Sequence, residues 1–173
     1  MLNYSKLQNG SDIRGVALEG KEEVNLGKEE TLRLTASFAK WLSGKENKPV
    51  EELKISIGHD SRLTAKLLKS AAVEALTLLG VTVLDCGLAS TPAMFMSTVF
   101  DDTRCDGAIM ITASHLPENR NGFKYFSKEG GLDKSDIREI ISLAKTLDLT
   151  FTENGNPCEK SVKSDLMDTY AAY

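Results

Sequence analysis

The sequence predicts an α/β fold: a three-layer α/β/α sandwich whose mixed four-stranded sheet has three parallel strands and one antiparallel edge strand. Two observations lead to this prediction. The middle of the chain alternates short β-rich runs with amphipathic helical segments, which is typical of a parallel sheet covered by helices. The last two β-rich runs are joined only by residues 112–121. This link has no helical pattern and is short for a crossover, so the strand after it should run antiparallel.

The first helix is predicted over residues 29–46, where apolar residues recur at near-helical spacing. Gly44 and Pro49 are its expected end signals. The first strand is predicted over 53–58, a β-rich run that breaks at Gly58.

A second helix is predicted over 64–80, with Thr64 as its N-cap and Gly80 as its end. The run that follows, 81–87, has the β-rich composition of the second strand.

The third helix is predicted over 91–100, with Pro92 in its first turn, where a missing N–H costs nothing. The apolar run 107–111 predicts the third parallel strand, and 122–126 predicts the antiparallel edge strand. A last helix is predicted over 133–147.

Length and composition indicate one domain with a real core, or one domain with an appendage. The chain has 173 residues, of which 41% are hydrophobic and 27% charged, and this balance is typical of globular domains. A formal net charge of −4 and a pI near 5.3 argue against a general nucleic-acid binder. No apolar stretch approaches the ~18 residues of a membrane span, and no signal peptide opens the chain. We therefore expect no membrane association and a cytoplasmic protein.

The three cysteines, Cys86, Cys105 and Cys158, are odd in number and widely spaced, with no CxxC pair. This pattern argues against a disulfide scaffold or a zinc finger. It is consistent with a reducing cytoplasm.

Polar loops follow all three predicted parallel strands, at residues 58–62, 86–91 and 112–121. Ligands of open α/β sheets bind beyond the carboxyl ends of the parallel strands, so these loops should meet along one edge. The stretch Thr112–His115, held directly after a buried strand, is the best-placed reactive group on that edge.

Two kinds of chemistry do not suit this loop. A serine hydrolase would carry its nucleophile in a GxSxG turn, whereas the loop reads TASHL and its histidine is the residue next to the serine. The other histidine, His59, follows a different strand. Two histidines far apart in sequence, without a carboxylate cluster, make no metal site either.

Phosphoryl chemistry suits the loop better, because cationic side chains concentrate around Ser114 in an acidic chain. A phosphate on Ser114 would bring about two negative charges. The cations that could meet it are His115, Arg120, Lys124 and Arg62, with Arg14 in GSDIRG as a further unexplained one. The residues alone also allow a plain alternative: a polar turn, a solvated edge lysine, and an arginine at 62 that caps a helix. Both interpretations stay open at this level.

Three stretches resemble the α-D-phosphohexomutases, the family of phosphoglucomutase, phosphomannomutase and phosphoglucosamine mutase. The family's phosphoserine loop reads T-(A/G)-S-H-N-P and then N-G-(I/F)-K, and this chain carries Thr112-Ala113-Ser114-His115, Pro117 and then Asn121-Gly122-Phe123-Lys124. GSDIRG (10–15) resembles the family's early D-I-R-G, and IGHDSR (57–62) resembles its G-x-D-x-R. One residue departs from the pattern: Leu116 stands where most members have asparagine.

The resemblance implies a reaction and four residue roles. Ser114 would be phosphorylated and would exchange its phosphate with a hexose 1- or 6-phosphate through a bound hexose 1,6-bisphosphate. Lys124 would be a general acid/base or electrostatic partner, Arg14 would reach the transferring phosphate, and His115 would orient the substrate hydroxyl or the loop. These three would bind the substrate. The phosphate on Ser114 would also ligate Mg²⁺, which neutralises charge on the transferred group.

The resemblance further implies the strand order 2-1-3-4 and a chain that is one part of a longer enzyme. The metal-binding D-G-D-x-D-R loop of the family's second domain, its sugar loop and its phosphate-gripping S-G-T loop do not occur in the sequence. We therefore expect residues 1–160 to be the first domain, with the phosphoserine loop at 112–117. Residues 161–173 would begin the linker helix towards a second domain. The remaining domains would be partners that supply the other metal ligands, so this domain alone should be inactive.

The substrate is expected to be glucose or mannose phosphate. The segment NGFKYF, followed by GGL, is closer to phosphogluco- and phosphomannomutases than to the glucosamine enzymes. The alternative function is a stand-alone phosphosugar-binding or regulatory domain that keeps the loop without turnover. The length of the complete protein separates these two hypotheses.

Overall fold

The computed structural model describes residues 4–150 and 160–173. Its helices are α1 Lys28–Glu46, α2 Ala65–Leu78, α3 Thr91–Met96, α4 Lys134–Thr146 and α5 Leu166–Ala172. Its strands are β1 Gln8–Asn9, β2 Asp12–Val16, β3 Lys54–His59, β4 Thr82–Leu88, β5 Gly107–Ile111, β6 Arg120–Ser127, β7 Gly130–Gly131 and β8 Ser161–Lys163. In the described ranges these eight strands form one sheet in the order β1-β2-β6-β5-β3-β4-β8, with β7 paired to β6.

The predicted α/β fold class is confirmed, and the four predicted strands have the predicted order and directions. β4, β3 and β5 pair in parallel, and β6 pairs antiparallel with β5. The predicted sheet size is wrong, because β2 pairs antiparallel with β6 and β8 pairs in parallel with β4. The strand predicted at 122–126 therefore lies inside an eight-stranded sheet and is not an edge strand.

The additional strand β2 forms because it can pair with the side of β6 that faces away from β5. Its sequence, DIRGV, has no clear strand pattern, since charged residues and a glycine interrupt the apolar ones. In the structure Ile13 lies opposite Phe123, and both side chains are buried in the same core. Pairing with a distant strand supplies the stabilisation that the local sequence lacks.

Helices cover both faces of the sheet, which gives the three predicted layers. α1, α2 and α4 pack on one face, and α3 and α5 pack on the other. The core of the first face includes Leu34, Phe38, Leu68, Leu76, Ile137, Ile140, Ile55, Ile57, Ile109 and Tyr125. The smaller core of the second face includes Leu84, Met94, Ala108, Met110, Phe126 and Leu166.

Several predicted helix ends differ from those observed. α1 runs through Gly44 to Glu46, and its C-cap residue Asn47 takes the left-handed conformation (φ 50°) that asparagine tolerates at a helix end. α3 ends at Met96, short of the predicted residue 100. Thr64 does occupy the N-cap position of α2, but its hydroxyl makes no capping bond and accepts from Asn121 Nδ2 at 3.0 Å.

The two described cysteines, Cys86 and Cys105, are free and buried. Burial raises the pKa of the Cys86 thiol to about 12 and that of the Cys105 thiol to about 11. Cys158 lies outside the described residues. Within the described ranges, no helix has the length and apolar character needed to cross a membrane.

Residues 161–173 contain the edge strand β8 and helix α5. Val83 and Asp85 of β4 pair with β8, and Leu166 of α5 is fully buried in the second core. Their assignment to the start of a linker helix towards a second domain stays a prediction.

Asp106 comes immediately before β5. It therefore lies at the amino-terminal ends of the parallel strands, opposite the polar loops that follow their carboxyl ends. Its carboxylate accepts hydrogen bonds from Lys48 Nζ (2.9 Å), Lys128 Nζ (2.8 Å) and the Lys54 amide (2.8 Å). Burial raises the pKa of this carboxyl, but the bonds from Lys128, Lys48 and the Lys54 amide outweigh burial and hold the pKa below its ordinary value.

This arrangement predicts acid sensitivity. Because the pKa of Asp106 is lower in the folded than in the unfolded state, its stabilising contribution is present above the unfolded pKa and is lost as pH falls through the folded pKa. We expect the urea midpoint of the wild type to fall more steeply below about pH 4 than that of Asp106→Asn, which should be less stable at neutral pH. Asp101→Asn, at an exposed ion pair with Arg104, is the control and should keep the wild-type slope. Equal slopes for Asp106→Asn and wild type would contradict the prediction.

Candidate functional site

The Ser114 loop, residues 112–119, is fixed to the end of the neighbouring strand β3. Asp60 is the first residue after β3, and its Oδ2 accepts the hydroxyl hydrogen of Thr112 at 2.6 Å. Thr112 Oγ1 in turn accepts the amide of Ser114 at 2.9 Å. Ser114 is exposed and has a φ of 54°, a left-handed conformation. Such a conformation costs a residue with a side chain about 1–3 kcal/mol, so the surrounding bonds must hold it.

Arg62 contacts the main chain of the same loop. Its Nη1 donates to the carbonyl oxygens of Pro117 (2.9 Å) and Arg120 (3.0 Å), and its Nη2 donates to those of Ser114 (2.6 Å) and Leu116 (2.8 Å). The plain interpretation of Arg62 as a helix cap is therefore wrong, because its side chain bonds the loop and not α2.

Asp12 on β2 joins two of the predicted site residues. Its Oδ2 accepts from Arg14 Nη2 at 2.9 Å and from Lys124 Nζ at 2.7 Å. Ile13 and Phe123, the neighbours of these residues on the two strands, point into the first core. Because side chains alternate along a strand, the Asp12, Arg14 and Lys124 side chains lie on the opposite face of the sheet.

The Ser114 loop and the group formed by Asp12, Arg14 and Lys124 meet at Gly122. Its carbonyl accepts the amide of Thr112 at 3.0 Å, which ties it to the start of the Ser114 loop. It also lies opposite Arg14 in the β2–β6 ladder. A Cβ at position 122 would lie 1.9 Å from the Ile13 carbonyl oxygen and 2.8 Å from Arg14 Nη1. The Arg14 guanidinium thus lies directly over this glycine.

Cationic side chains concentrate around the loop. Arg120 is paired with Glu22 (2.6 and 2.8 Å) on the far end of the loop. With it, these contacts join four cationic side chains to three carboxylates: Arg14, Arg62, Arg120 and Lys124 with Asp12, Asp60 and Glu22. Glu118 adds a fourth carboxylate within the loop itself. This cluster of guanidinium and ammonium donors suits an anionic ligand.

Burial lowers the pKa of Arg14 and is the largest cause of its shift. Asp12 and Asp60 raise this pKa, and the charge of Arg62 lowers it further. Burial and Arg62 therefore disfavour the charge of the guanidinium, against the attraction of the two carboxylates. A phosphate would remove that penalty.

A cleft of about 340 Å³ lies beside the loop, and its lining includes Lys6, Arg14 and Arg120. Leu116 and Pro117 form its loop side. Leu116, the departure from the family pattern, therefore contributes an apolar side chain to the cleft while its carbonyl is held by Arg62.

His115 is exposed, and its Nδ1 lies 3.4 Å from Ser114 Oγ. This distance is at the long limit of a hydrogen bond, so the contact is weak. The structure thus places His115 beside Ser114, and it joins Arg14 to Lys124 through Asp12, a residue without a predicted role. The only sequence signal for Asp12 is its position within the D-I-R-G stretch.

The part of the chain that the structure describes contains no group of three His, Cys, Asp or Glu residues able to hold a metal ion. Two carboxylates near the loop are already engaged: Asp12 by Arg14 and Lys124, and Asp60 by Thr112 and Arg62. Neither therefore fits as a metal ligand in this arrangement.

Comparison with known proteins identifies the family. The model of the phosphoglucomutase/phosphomannomutase α/β/α domain I matches residues 5–151. The chain belongs to this family. A phosphoglucosamine mutase of Nautilia profundicola is 36% identical over 110 residues, 64% of this chain and 23% of the relative. A phosphoglucosamine mutase of Wolinella succinogenes is 42% identical over 91 residues, 52% of this chain and 20% of the relative.

The fold of this phosphohexomutase-family chain also occurs in a solved structure. The crystal structure of a phosphoglucomutase/phosphomannomutase family protein from Burkholderia thailandensis matches it with a TM-score of 0.76 at 22% identity. The match covers 98% of this chain and 35% of that protein. The chain spans about a fifth of the length of the curated relatives named above.

The close approach at Gly122 predicts a large effect of one added methyl group. Gly122→Ala should lower stability by about 1–3 kcal/mol or more, because the Cβ would meet the Ile13 carbonyl oxygen at 1.9 Å. Urea denaturation measures the change. Gly44→Ala on α1 is the matched control: its Cβ meets nothing within 4 Å, and alanine should stabilise a helix by about 1 kcal/mol. A Gly122→Ala protein as stable as wild type would mean that β2 does not lie as described.

Proposed function

We propose that this chain is the phosphoserine-bearing domain of a phosphohexomutase, an enzyme that interconverts hexose 1-phosphate and hexose 6-phosphate. One observation carries the proposal: an exposed serine, Ser114, is held in a left-handed turn directly after β5, and Asp12 pairs the cations Arg14 and Lys124 on β2 and β6, the next strands of the sheet. Phosphoryl transfer depends mainly on positioning and on stabilising negative charge. The site offers both.

The proposed transfer has two steps. The bond between Ser114 Oγ and phosphorus breaks while phosphorus bonds to the free C1 or C6 hydroxyl oxygen of the bound hexose phosphate. The sugar hydroxyl loses its proton, and Ser114 Oγ gains one. The resulting hexose 1,6-bisphosphate then returns its other phosphate to Ser114 Oγ by the reverse chemistry, which leaves the isomeric monophosphate and a phosphorylated serine.

In this proposal the cations have separate roles. Arg14 presents a planar fork of N–H donors to the transferring phosphate. Lys124 contributes a positive charge and N–H donors to the same phosphate and acts as the acid/base or electrostatic partner. His115 orients the substrate hydroxyl or the loop. Asp12 holds the first two side chains side by side, at 2.9 and 2.7 Å, until a phosphate takes over their hydrogen bonds.

Mg²⁺, which the family generally uses, would receive only a phosphate oxygen on Ser114 as its ligand from the described part of this chain. When bound, the ion would neutralise charge on the transferred group. Its other ligands, and the groups that hold the second phosphate, would come from the remaining domains of the longer protein. We propose these domains and the hexose phosphate as the partners of the chain, in the cytoplasm.

The sugar is a separate proposal. The similarity of the segment NGFKYF to gluco- and mannomutases favours glucose or mannose, whereas the two curated relatives described above are phosphoglucosamine mutases. Identity over a hundred residues weighs more than one short segment, so we propose glucosamine phosphate as the preferred substrate.

The covalent role of Ser114 predicts a defined loss. In the full-length enzyme, Ser114→Ala should abolish transfer and leave the fold intact, because an exposed residue loses only a hydroxyl. Intact mass should show ~80 Da more on the wild type, for one phosphoryl group, and none on the variant. Near-normal turnover by Ser114→Ala, or the added mass on another residue, would exclude the phosphoserine assignment. A phosphorylated wild type without turnover would favour the binding-domain alternative.

Variants of the assisting residues provide the internal comparison. Lys124→Ala should lose about 10²–10⁴-fold in rate, the usual acid/base contribution, and His115→Ala should lose less. Both should still accept the ~80 Da phosphoryl mass, because Ser114 Oγ is unchanged.

Substrate preference is tested by kcat/KM of the full-length enzyme for the 1-phosphates of glucosamine, glucose and mannose. We expect the glucosamine substrate to be favoured. A site that hydrogen-bonds an amino group rejects a substrate lacking that group by a large factor, because its polar groups are then left unpaired. Equal or higher kcat/KM for glucose or mannose would restore the preference inferred from the sequence alone.

A further inference from the structure

We propose that Arg62 is a positioning residue for Ser114: its guanidinium fixes the main chain of the Ser114 loop and does not bind the phosphate. The inference rests on the proposed function and extends it, because it gives Arg62 a role in the same site that involves no contact with the substrate. It also separates two arginines, Arg14 and Arg62, that the sequence presents as equivalent cations.

The count of N–H donors supports this assignment. A guanidinium has five N–H groups in a fixed plane. Four of them, on Nη1 and Nη2 of Arg62, donate to the carbonyl oxygens of residues 114, 116, 117 and 120 at 2.6–3.0 Å. The fifth, on Nε, is buried without a hydrogen-bond partner in the described structure, and it lies 3.5 Å from Asp60 Oδ2. Four donors are used by carbonyl oxygens and the fifth is buried, so none of the five is open to a phosphate.

The position of Arg62 makes the contact a rigid one. The side chain is 11% exposed. Its amide donates to Asp60 Oδ1 at 3.1 Å, while Asp60 Oδ2 accepts from Thr112. The loop is therefore held from β3 at two places, at its first residue through Asp60 and along its length through Arg62. Ser114 is bonded on both sides, its amide to Thr112 and its carbonyl oxygen to Arg62.

A lysine cannot reproduce this contact. Its ammonium has the same charge but carries three donors at one point, whereas the four carbonyl oxygens are spread over residues 114–120, from the loop to the start of β6. Arg62→Lys therefore preserves the positive charge near Ser114 and removes the planar set of N–H donors that reaches the four carbonyl oxygens. This substitution separates a positioning role from an electrostatic one.

The test compares Arg62→Lys with wild type in the full-length protein, by steady-state kinetics and by amide hydrogen exchange. We expect kcat to fall about 10–100-fold, as a displacement of about 1 Å can cause, and KM to change less than about threefold, because substrate contacts are kept. The amides of Ser114, Leu116 and Arg120, which bond within the loop, should exchange at least about tenfold faster. The amides of β3 and β5 should not change.

Two further variants are compared with Arg62→Lys. Arg104→Lys, at an exposed arginine that pairs with Asp101, should match wild type in all readouts. Arg14→Lys should raise KM, since Arg14 is assigned to the phosphate. A raised KM with unchanged kcat in Arg62→Lys would make Arg62 a phosphate ligand and overturn the proposal. So would wild-type exchange rates in the loop.

Hydrogen exchange also distinguishes this inference from the proposed function. If the wild-type protein shows no mutase turnover, the proposed function fails, yet faster exchange of the loop amides in Arg62→Lys still supports the positioning role of Arg62. If turnover is present and Arg62→Lys retains both its rate and its slow exchange, the positioning role is wrong while the proposed function stands.

Discussion

The carboxylate of Asp60 connects the two central strands at the point where the Ser114 loop begins. β3 and β5 pair in parallel with His59 opposite Ile111, so the residues that follow each strand emerge side by side. One oxygen of Asp60 accepts the Thr112 hydroxyl and the other accepts the Arg62 amide. A slip of this register by one residue would turn the side chains of the shifted strand to the opposite faces and break the bond from Thr112 to Asp60. The geometry of the candidate site therefore depends on the register of the strand pair.

Most of the central fold could be predicted from the sequence, because its signals are local. The apolar periodicity of α1, α2 and α4 is strong, and the link at 112–121 is too short for a crossover, which gave the antiparallel direction of β6. β1, β2 and β8 could not be predicted in the same way. They are two to five residues long. β2 and β8 are stabilised by pairing with strands distant in the sequence, and β1 pairs only with its neighbour β2 in the described residues.

The site was predictable in its residue types but not in its contacts. Ser114, His115, Lys124 and Arg14 stand in recognisable motifs; the structure places His115 beside Ser114 and joins Arg14 to Lys124 through Asp12. The sequence could not show that Arg62 turns its donors towards carbonyl oxygens, since a guanidinium serves equally well for phosphate and for main chain. It also could not show that Asp12 joins Arg14 to Lys124, because strand β2 itself carried no clear pattern.

The pairing of β2 with β6 has a consequence for the order of folding. Asp12 and Lys124 are 112 residues apart in sequence, so the entropy of closing that loop must be overcome before their ion pair can form. The parallel core of β3, β4 and β5 draws on shorter separations and needs no residue of β2. Local detachment of the N-terminal strand would therefore dismantle the cationic pair while the rest of the domain stayed folded. It would also uncover the edge of β6, which would then be open to pairing with a strand of another molecule.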